Sequence, residues 1–313
     1  MKNADIVTFD NNTFKSGEWH LKLNSSRDYF ERRIAVLEGE IHKSKINFSL
    51  LKETCLELII RFPLPVHYYK DSWLIRCRPN YEGEVFSDVG QLSYNPDPKA
   101  TIANRFNIKE DQVFYCAAPI DYENGNGCLT SICEVQKELF DRNFPFQYQY
   151  YTLSKWNVRK EIPLVLLTFC ADNNQRNLQS LNINPVYSQN LSRVCVREDF
   201  EKCKLIYNYF SELTCKSVDR HNSYLLTTAF YHAIKDYYGA ETGILYPSSM
   251  TEKFGLNIVL SKEIVDADYL QFSEVIMYKV QRSPNNPFHY NSFPCSKLAK
   301  PDARGKFSIS GIL

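Results

Sequence analysis

The sequence predicts an α+β fold, and three observations carry that prediction. Two runs of helical periodicity open the chain, short β-rich runs follow, and strands and helices then interleave without the regular spacing of βαβ units. From about Ser25 to Lys45 the apolar residues Phe30, Ile34, Leu37 and Ile41 recur at steps of three or four, and Ser26 or Asp28 is placed to cap the start. A second helical pattern runs from about Phe48 to Phe62 and stops at the prolines of FPLP, so a helical hairpin is expected in front of the main domain. Strands are predicted at Trp73–Cys77, Val113–Cys116, Leu164–Phe169 and Val275–Val280, where branched, aromatic and other apolar residues cluster. Helices are predicted between them at Leu129–Phe140, Glu198–Thr214 and Ser223–Tyr238, and the Asn-Gly pairs at Asn124 to Gly127 read as a turn. The division expected is a helical region at 1–68, a main domain at 69–285 and a surface tail at 286–313, rich in Pro, Asn, Ser and Lys.

Composition narrows the functional classes. A chain of 313 residues buries enough apolar surface to fold without disulfide or metal. Its 37 basic and 36 acidic residues make no global field to hold nucleic acid or an anionic membrane, so an anionic ligand must meet a local cluster. The ten cysteines are scattered, with Cys128 and Cys133 the closest, and no Cys-x-x-Cys is followed by a second pair; no metal is expected. The start, MKNADIVTFDNN, lacks a basic segment followed by an apolar one, and the longest mainly apolar run, Ile162 to Phe169, is far below the roughly 20 residues a bilayer requires. A cytoplasmic chain with reduced thiols is the expectation.

Four segments put polar residues where a structural pattern calls for apolar ones. In SWLIRCRP, Arg76 follows three apolar positions inside a strand; its planar fork suits a phosphate or carboxylate, although a solvated strand face would also carry Arg76 and Arg78. In CLTSICEV, Glu134 lies among Leu129, Ile132, Cys133 and Val135, where a carboxylate requires a partner and can stabilise developing positive charge; a helix-surface glutamate beside Lys137 and Glu138 is the alternative. ANRFN and LYPSS are the other two, and the serines of LYPSS lack the Gly-x-Ser-x-Gly elbow of a hydrolase. His221 and His232 are too far apart for a helical metal pair, and His232 alone reads as a satisfied helix residue.

Together, in order and spacing, these segments resemble the RES domain family, named for its arginine, glutamate and serine. WLIRCRP resembles the family's Arg-x-Arg strand, ANRFNI its Gly-Arg-Phe/Trp-Asn turn with Ala103-Asn104 before the arginine, and QVFYCA its tyrosine strand. CLTSICEV resembles the Thr-Ala-x-x-Glu-Val helix start with Ser131 in place of alanine, IPLVLLTFCAD the following strand, and GILYPSSMTEKFGLNIVL the Gly-Ile-x-Tyr-Pro-Ser segment with its downstream asparagine. The resemblance covers about residues 70 to 282.

What it implies is an ADP-ribosyltransferase-like fold and an enzyme that cleaves the nicotinamide–ribose bond of NAD+, as a phosphorylase or glycohydrolase. By position the family's catalytic roles fall on Arg76, Glu134 and Ser248, with Ser248 chosen over Ser249 because it directly follows Pro247. Substrate binding falls on Arg105 and Tyr115, with Asn107 and Asn257 as supports. The resemblance also implies a toxin or anti-phage effector with NAD+ as substrate and restraint by an antitoxin or by self-association, the front hairpin being a candidate contact. A protein mono-ADP-ribosyltransferase and a non-catalytic nucleotide-binding module are the alternatives. A helical ribonuclease of the HEPN type would need Arg-x₄₋₆-His on a helix; Arg61 to His67 and Arg282 to His289 have that spacing, but Pro63, Pro65, Pro284 and Pro287 interrupt them.

Overall fold

The computed structural model describes residues 25–119, 127–136, 148–169, 178–215, 221–283 and 286–311. It is a mixed α/β structure, and most of the predicted helices lie where their periodicity put them. Helix α1 (Arg27–Ile41) is capped by Ser26, whose Oγ accepts from the Tyr29 amide at 3.2 Å, and it buries Phe30, Leu37 and Ile41. Helix α2 (Phe48–Ile59) is capped by Asn47 and ends before the prolines. The buried carboxylate of Glu40 joins the two, accepting from Lys43 Nζ at 2.5 Å and from the Asn47 amide at 2.7 Å. Helices α3 (Gly127–Val135), α4 (Leu178–Val194), α5 (Arg197–Cys215), α6 (His221–Tyr238) and the short α7 (Lys262–Asp266) follow. The end predicted for α3, at 137–140, and the Asn-Gly turn at 124–126 lie outside the described residues.

Nine strands among the described residues form one sheet. They are β1 (Val66–Tyr69), β2 (Trp73–Asn80), β3 (Val113–Ala117), β4 (Tyr148–Val158), β5 (Ile162–Leu166), β6 (Gly243–Pro247), β7 (Leu256–Ser261), β8 (Leu270–Ser283) and β9 (Asn286–Pro294). Their spatial order is β1-β5-β6-β7-β3-β2-β4-β8-β9, antiparallel throughout except for the β5–β6 pair. Period-two alternation divides each central strand between two cores. On β7, Leu256, Ile258 and Leu260 join Phe114, Leu164, Trp156 and Phe272 in one core, whereas Val259 joins the other, with Val165 and Ile244. This second core is closed by α1, α2, α5 and α6, and the Phe210 and Phe230 rings stack inside it with centroids 3.8 Å apart. Helix α3 covers a third, smaller cluster around Cys77, Tyr151, Leu153 and Val280.

Three expectations are corrected. The front hairpin shares its core with α5, α6 and the sheet, and β1 crosses the boundary placed after residue 68. Residues 286–311 are not a surface tail: β9 pairs with β8 along the sheet edge, Ala299 pairs with Val275, and Cys295, Phe307 and Ile309 are buried against the sheet. The composition misled because the few buried residues, Cys295, Phe307 and Ile309, lie scattered among exposed polar ones. The thiols are not all reduced, since Cys215 is disulfide-bonded, while eight other described cysteines are not in a disulfide. No helix among the described residues is long and apolar enough to cross a membrane.

Candidate active site

The sheet is forked at its centre. Strand β2 pairs with β4 along its whole length and β3 pairs with β7 along its whole length, but β2 and β3 meet in register at one position, Ile75 opposite Ala117. A cavity of about 730 Å³ is lined by both arms of this fork, by α3, by the loop at 102–105, by Tyr224 of α6 and by residues 249–250 after β6. Among its lining residues are Arg76, Arg105, Tyr115, Glu134 and Asn257, so five of the seven sequence-derived site residues meet in one place.

The carboxylate is positioned by the docking of α3. A Cβ on Gly127 would lie 2.7 Å from the Ala118 carbonyl oxygen, so the glycine lets the helix start against the end of β3. Ser131 then ties α3 to β2, donating to the Ile75 carbonyl at 3.0 Å while also reaching the Gly127 carbonyl at 2.8 Å. Glu134, three residues on, falls on the same helix face and reaches the cavity. Its Oε1 accepts from Ser248 Oγ at 2.5 Å and from Asn257 Nδ2 at 2.7 Å. Both bonds converge on one oxygen, and Oε2 has no hydrogen-bond partner among the described residues.

The two arginines differ in their surroundings. Arg76 donates from Nη1 to the Tyr115 carbonyl at 2.6 Å, lies over the Phe114 ring at 4.8 Å, and has no acidic partner among the described residues. Its Nε is buried without a hydrogen-bond partner. Burial, reinforced by neighbouring Arg78, lowers its pKa to about 10. Arg105 is 7% exposed and is fixed on several sides: Nη1 donates to the Thr214 carbonyl at the end of α5 at 2.8 Å, Nη2 donates to Ser249 Oγ at 3.2 Å, and the guanidinium lies 5.4 Å from the centroid of the Tyr224 ring.

A tight turn presents Arg105. Asn104 and Asn107 exchange backbone hydrogen bonds at 2.9 and 3.4 Å, Asn104 Oδ1 accepts from the Arg105 amide at 2.9 Å, and neither Ala103 nor Asn104 has the positive φ that would call for a glycine. The Tyr115 hydroxyl closes the turn, donating to Asn107 Oδ1 at 3.0 Å and accepting from the Phe106 amide at 2.8 Å. Burial pushes this phenol well above its ordinary pKa. Tyr115 therefore offers the cavity its ring, with its hydroxyl already committed.

Two sequence-derived residues stand behind the wall. Ser248 is 0% exposed and its Oγ is committed to Glu134 and to the Thr251 amide at 3.2 Å, so it supports the carboxylate from behind the wall. Asn107 is buried and holds the turn, donating to the Ile102 and Ile108 carbonyls. Sequence reasoning missed Tyr224, Tyr246, Ser249 and Met250 as lining residues. Tyr224 sits in an ordinary helical pattern and carries no signal of its own, whereas Ser249 was visible as the second serine of LYPSS. His232 pairs with Asp111 at 2.9 Å and is absent from the cavity lining. Compared with known proteins, the chain matches no family model and no curated relative.

Proposed function

We propose that the chain is an NAD+-consuming enzyme that cleaves the nicotinamide–ribose bond in this cavity, as a phosphorylase or glycohydrolase of the RES type with an ADP-ribosyltransferase-like fold. The observation that carries the reading is the meeting of two guanidinium groups and one oriented carboxylate around a single cavity. Its volume falls in the roughly 300–1,000 Å³ range of small-molecule and cofactor sites. A bound pyrophosphate supplies the charge that Arg76 lacks, through charge-assisted hydrogen bonds from Arg76 and Arg105.

The chemistry follows from the leaving group. Nicotinamide departs from a cationic ring and needs no strong acid, so the demand on the protein is to stabilise positive charge as it grows on the ribose. Glu134 fits that demand, because Ser248 and Asn257 hold one oxygen and Oε2 is open to a ribose hydroxyl. The Tyr115 ring, which lines the cavity, would stack on the nicotinamide ring, and Asn257 supports Glu134 from β7. An enzyme that drains NAD+ requires restraint, and the reading extends to a toxin or defence effector controlled by an antitoxin or by self-association.

The test is NAD+ consumption by the purified chain, with and without phosphate, with products separated by mass. Nicotinamide release is expected, with ADP-ribose 1″-phosphate or ADP-ribose naming the acceptor. Glu134→Gln is expected to lower turnover by about 10²- to 10³-fold, the usual effect of removing one charge-stabilising group. Full turnover by a folded Glu134→Gln protein would remove the proposed role. A product found on protein side chains rather than in solution would favour mono-ADP-ribosylation, and no turnover with intact nucleotide binding would favour a binding module.

A further inference from the structure

The end of β6 carries two consecutive serines with different neighbours. Ser248 is buried behind the cavity lining and holds Glu134, whereas Ser249 is half-buried, lines the cavity and accepts from Arg105 Nη2 at 3.2 Å. The turn that follows fixes both. Thr251 donates its amide to Ser248 Oγ, the Lys253 amide reaches the Ser248 carbonyl at 2.7 Å, and the Gly255 amide reaches Thr251 Oγ1 at 3.0 Å. Glu252 and Lys253 adopt φ of 49° and 70°, a conformation that non-glycine residues hold only when the surroundings dictate it. At Gly255 a Cβ would lie 2.0 Å from Thr130 Oγ1, so the turn is packed directly against α3, the helix that carries Glu134.

We infer that Ser249 is a positioning residue for the anion grip: its hydroxyl sets the Arg105 guanidinium, so that adjacent serines separately orient two of the cavity's charged groups, Glu134 and Arg105. This rests on the nucleotide reading of the site but not on turnover. An arginine hydrogen-bonded by groups from different elements, Thr214 at the end of α5 and Ser249 after β6, is held in one orientation. Losing the Ser249 contact removes one of the bonds that orient the guanidinium, which weakens the hold on a phosphate in ground state and transition state alike. Ser248 acts instead on Glu134, whose charge matters most in the transition state. Uniform binding appears in KM, and interactions made in the transition state appear in kcat.

The experiment uses the full chain with Ser249→Ala, Ser249→Thr and Ser248→Ala, measuring ADP-ribose binding by calorimetry and the KM and kcat of NAD+ consumption. Ser249→Ala is expected to weaken ADP-ribose binding by about tenfold, as for loss of one hydrogen bond to a charged group, with KM rising more than kcat falls. Ser249→Thr, which keeps the hydroxyl, is expected to restore binding to within about twofold, on the same count of hydrogen bonds. Ser248→Ala is expected to show the opposite split, with kcat falling more than KM rises. Unchanged ADP-ribose affinity in Ser249→Ala, failure of threonine to restore it, or wild-type protein that does not bind ADP-ribose would each overturn the inference. Wild-type protein that binds ADP-ribose but consumes no NAD+ would overturn the catalytic reading instead, and the affinities of the Ser249 variants would still decide the role of Ser249.

Discussion

Arg76 is the residue at which structure and energetics are most at odds. Its charge is held over a phenylalanine ring with one carbonyl contact, a buried Nε without a partner and a second arginine nearby. A base whose folded pKa lies below its unfolded value is charged in both states at low pH, so the penalty on the folded state is complete below about 10 and fades only as pH rises toward the ordinary arginine value of 12.5. At neutral pH the folded chain therefore carries the whole cost. Arg76→Met keeps the length of the side chain and removes the charge, and it is expected to raise Tm by roughly 2–4 °C, the response to about 1 kcal/mol in a chain somewhat smaller than this one. The same variant is expected to lose most of its nucleotide affinity. A fall in Tm would mean that the Tyr115 carbonyl contact outweighs desolvation and that Arg76 is structural. Legibility at this scale was uneven. Arg76 and Glu134 stand out in sequence because each interrupts an apolar run, but sequence cannot say that Ser248 faces Glu134 while Ser249 faces Arg105, since that depends on how the turn after β6 folds back on α3.

At the scale of elements, α1, α2, α5 and α6 were legible because each has an apolar face at helical spacing, and β2 and β3 because their branched and aromatic runs are short and bounded. Strand β4, YQYYTLSKWNV, was missed because polar residues, the buried Thr152 and Ser154 among them, break up its apolar run, and β1 because four residues hold too little pattern. Helix α4 was missed because Pro185 lies inside it among Asn, Gln and Ser residues of low helical preference. Strand β9 and the segment after it were hidden by composition, although Cys295, Phe307 and Ile309 of that segment complete the core on one face of the sheet. Phe307, 7% exposed, stacks on Phe272 with centroids 5.6 Å apart and planes 11° from parallel. Phe307→Ala is expected to cost about 3 kcal/mol, at the lower end of the range for deleting a buried aromatic ring. Urea denaturation checks this: a loss below about 0.5 kcal/mol, as for an exposed position, would return the segment to the status of a surface tail.

For the molecule as a whole, the cavity draws on distant parts of the chain. Arg76 comes from β2, Arg105 from the following loop, Glu134 from α3, Thr214 from the end of α5, and Ser249 and Asn257 from either side of the turn between β6 and β7. None of these elements holds the geometry alone, and among the described residues α1, α2, α5 and α6 share one core with the sheet behind the site. A ligand that binds the assembled cavity must therefore stabilise the entire fold. ADP-ribose at a hundred times its dissociation constant is expected to add about 2.7 kcal/mol to the unfolding free energy. It should shift the urea midpoint of a single transition without changing its slope, because the surface exposed on unfolding stays the same. In Arg76→Met the shift should shrink at equal ligand concentration, in proportion to the lost affinity. Two resolved transitions, with the ligand moving only one of them, would show that the hairpin or the C-terminal segment unfolds independently and that the fork between β2 and β3 is held by fewer elements than the shared core implies.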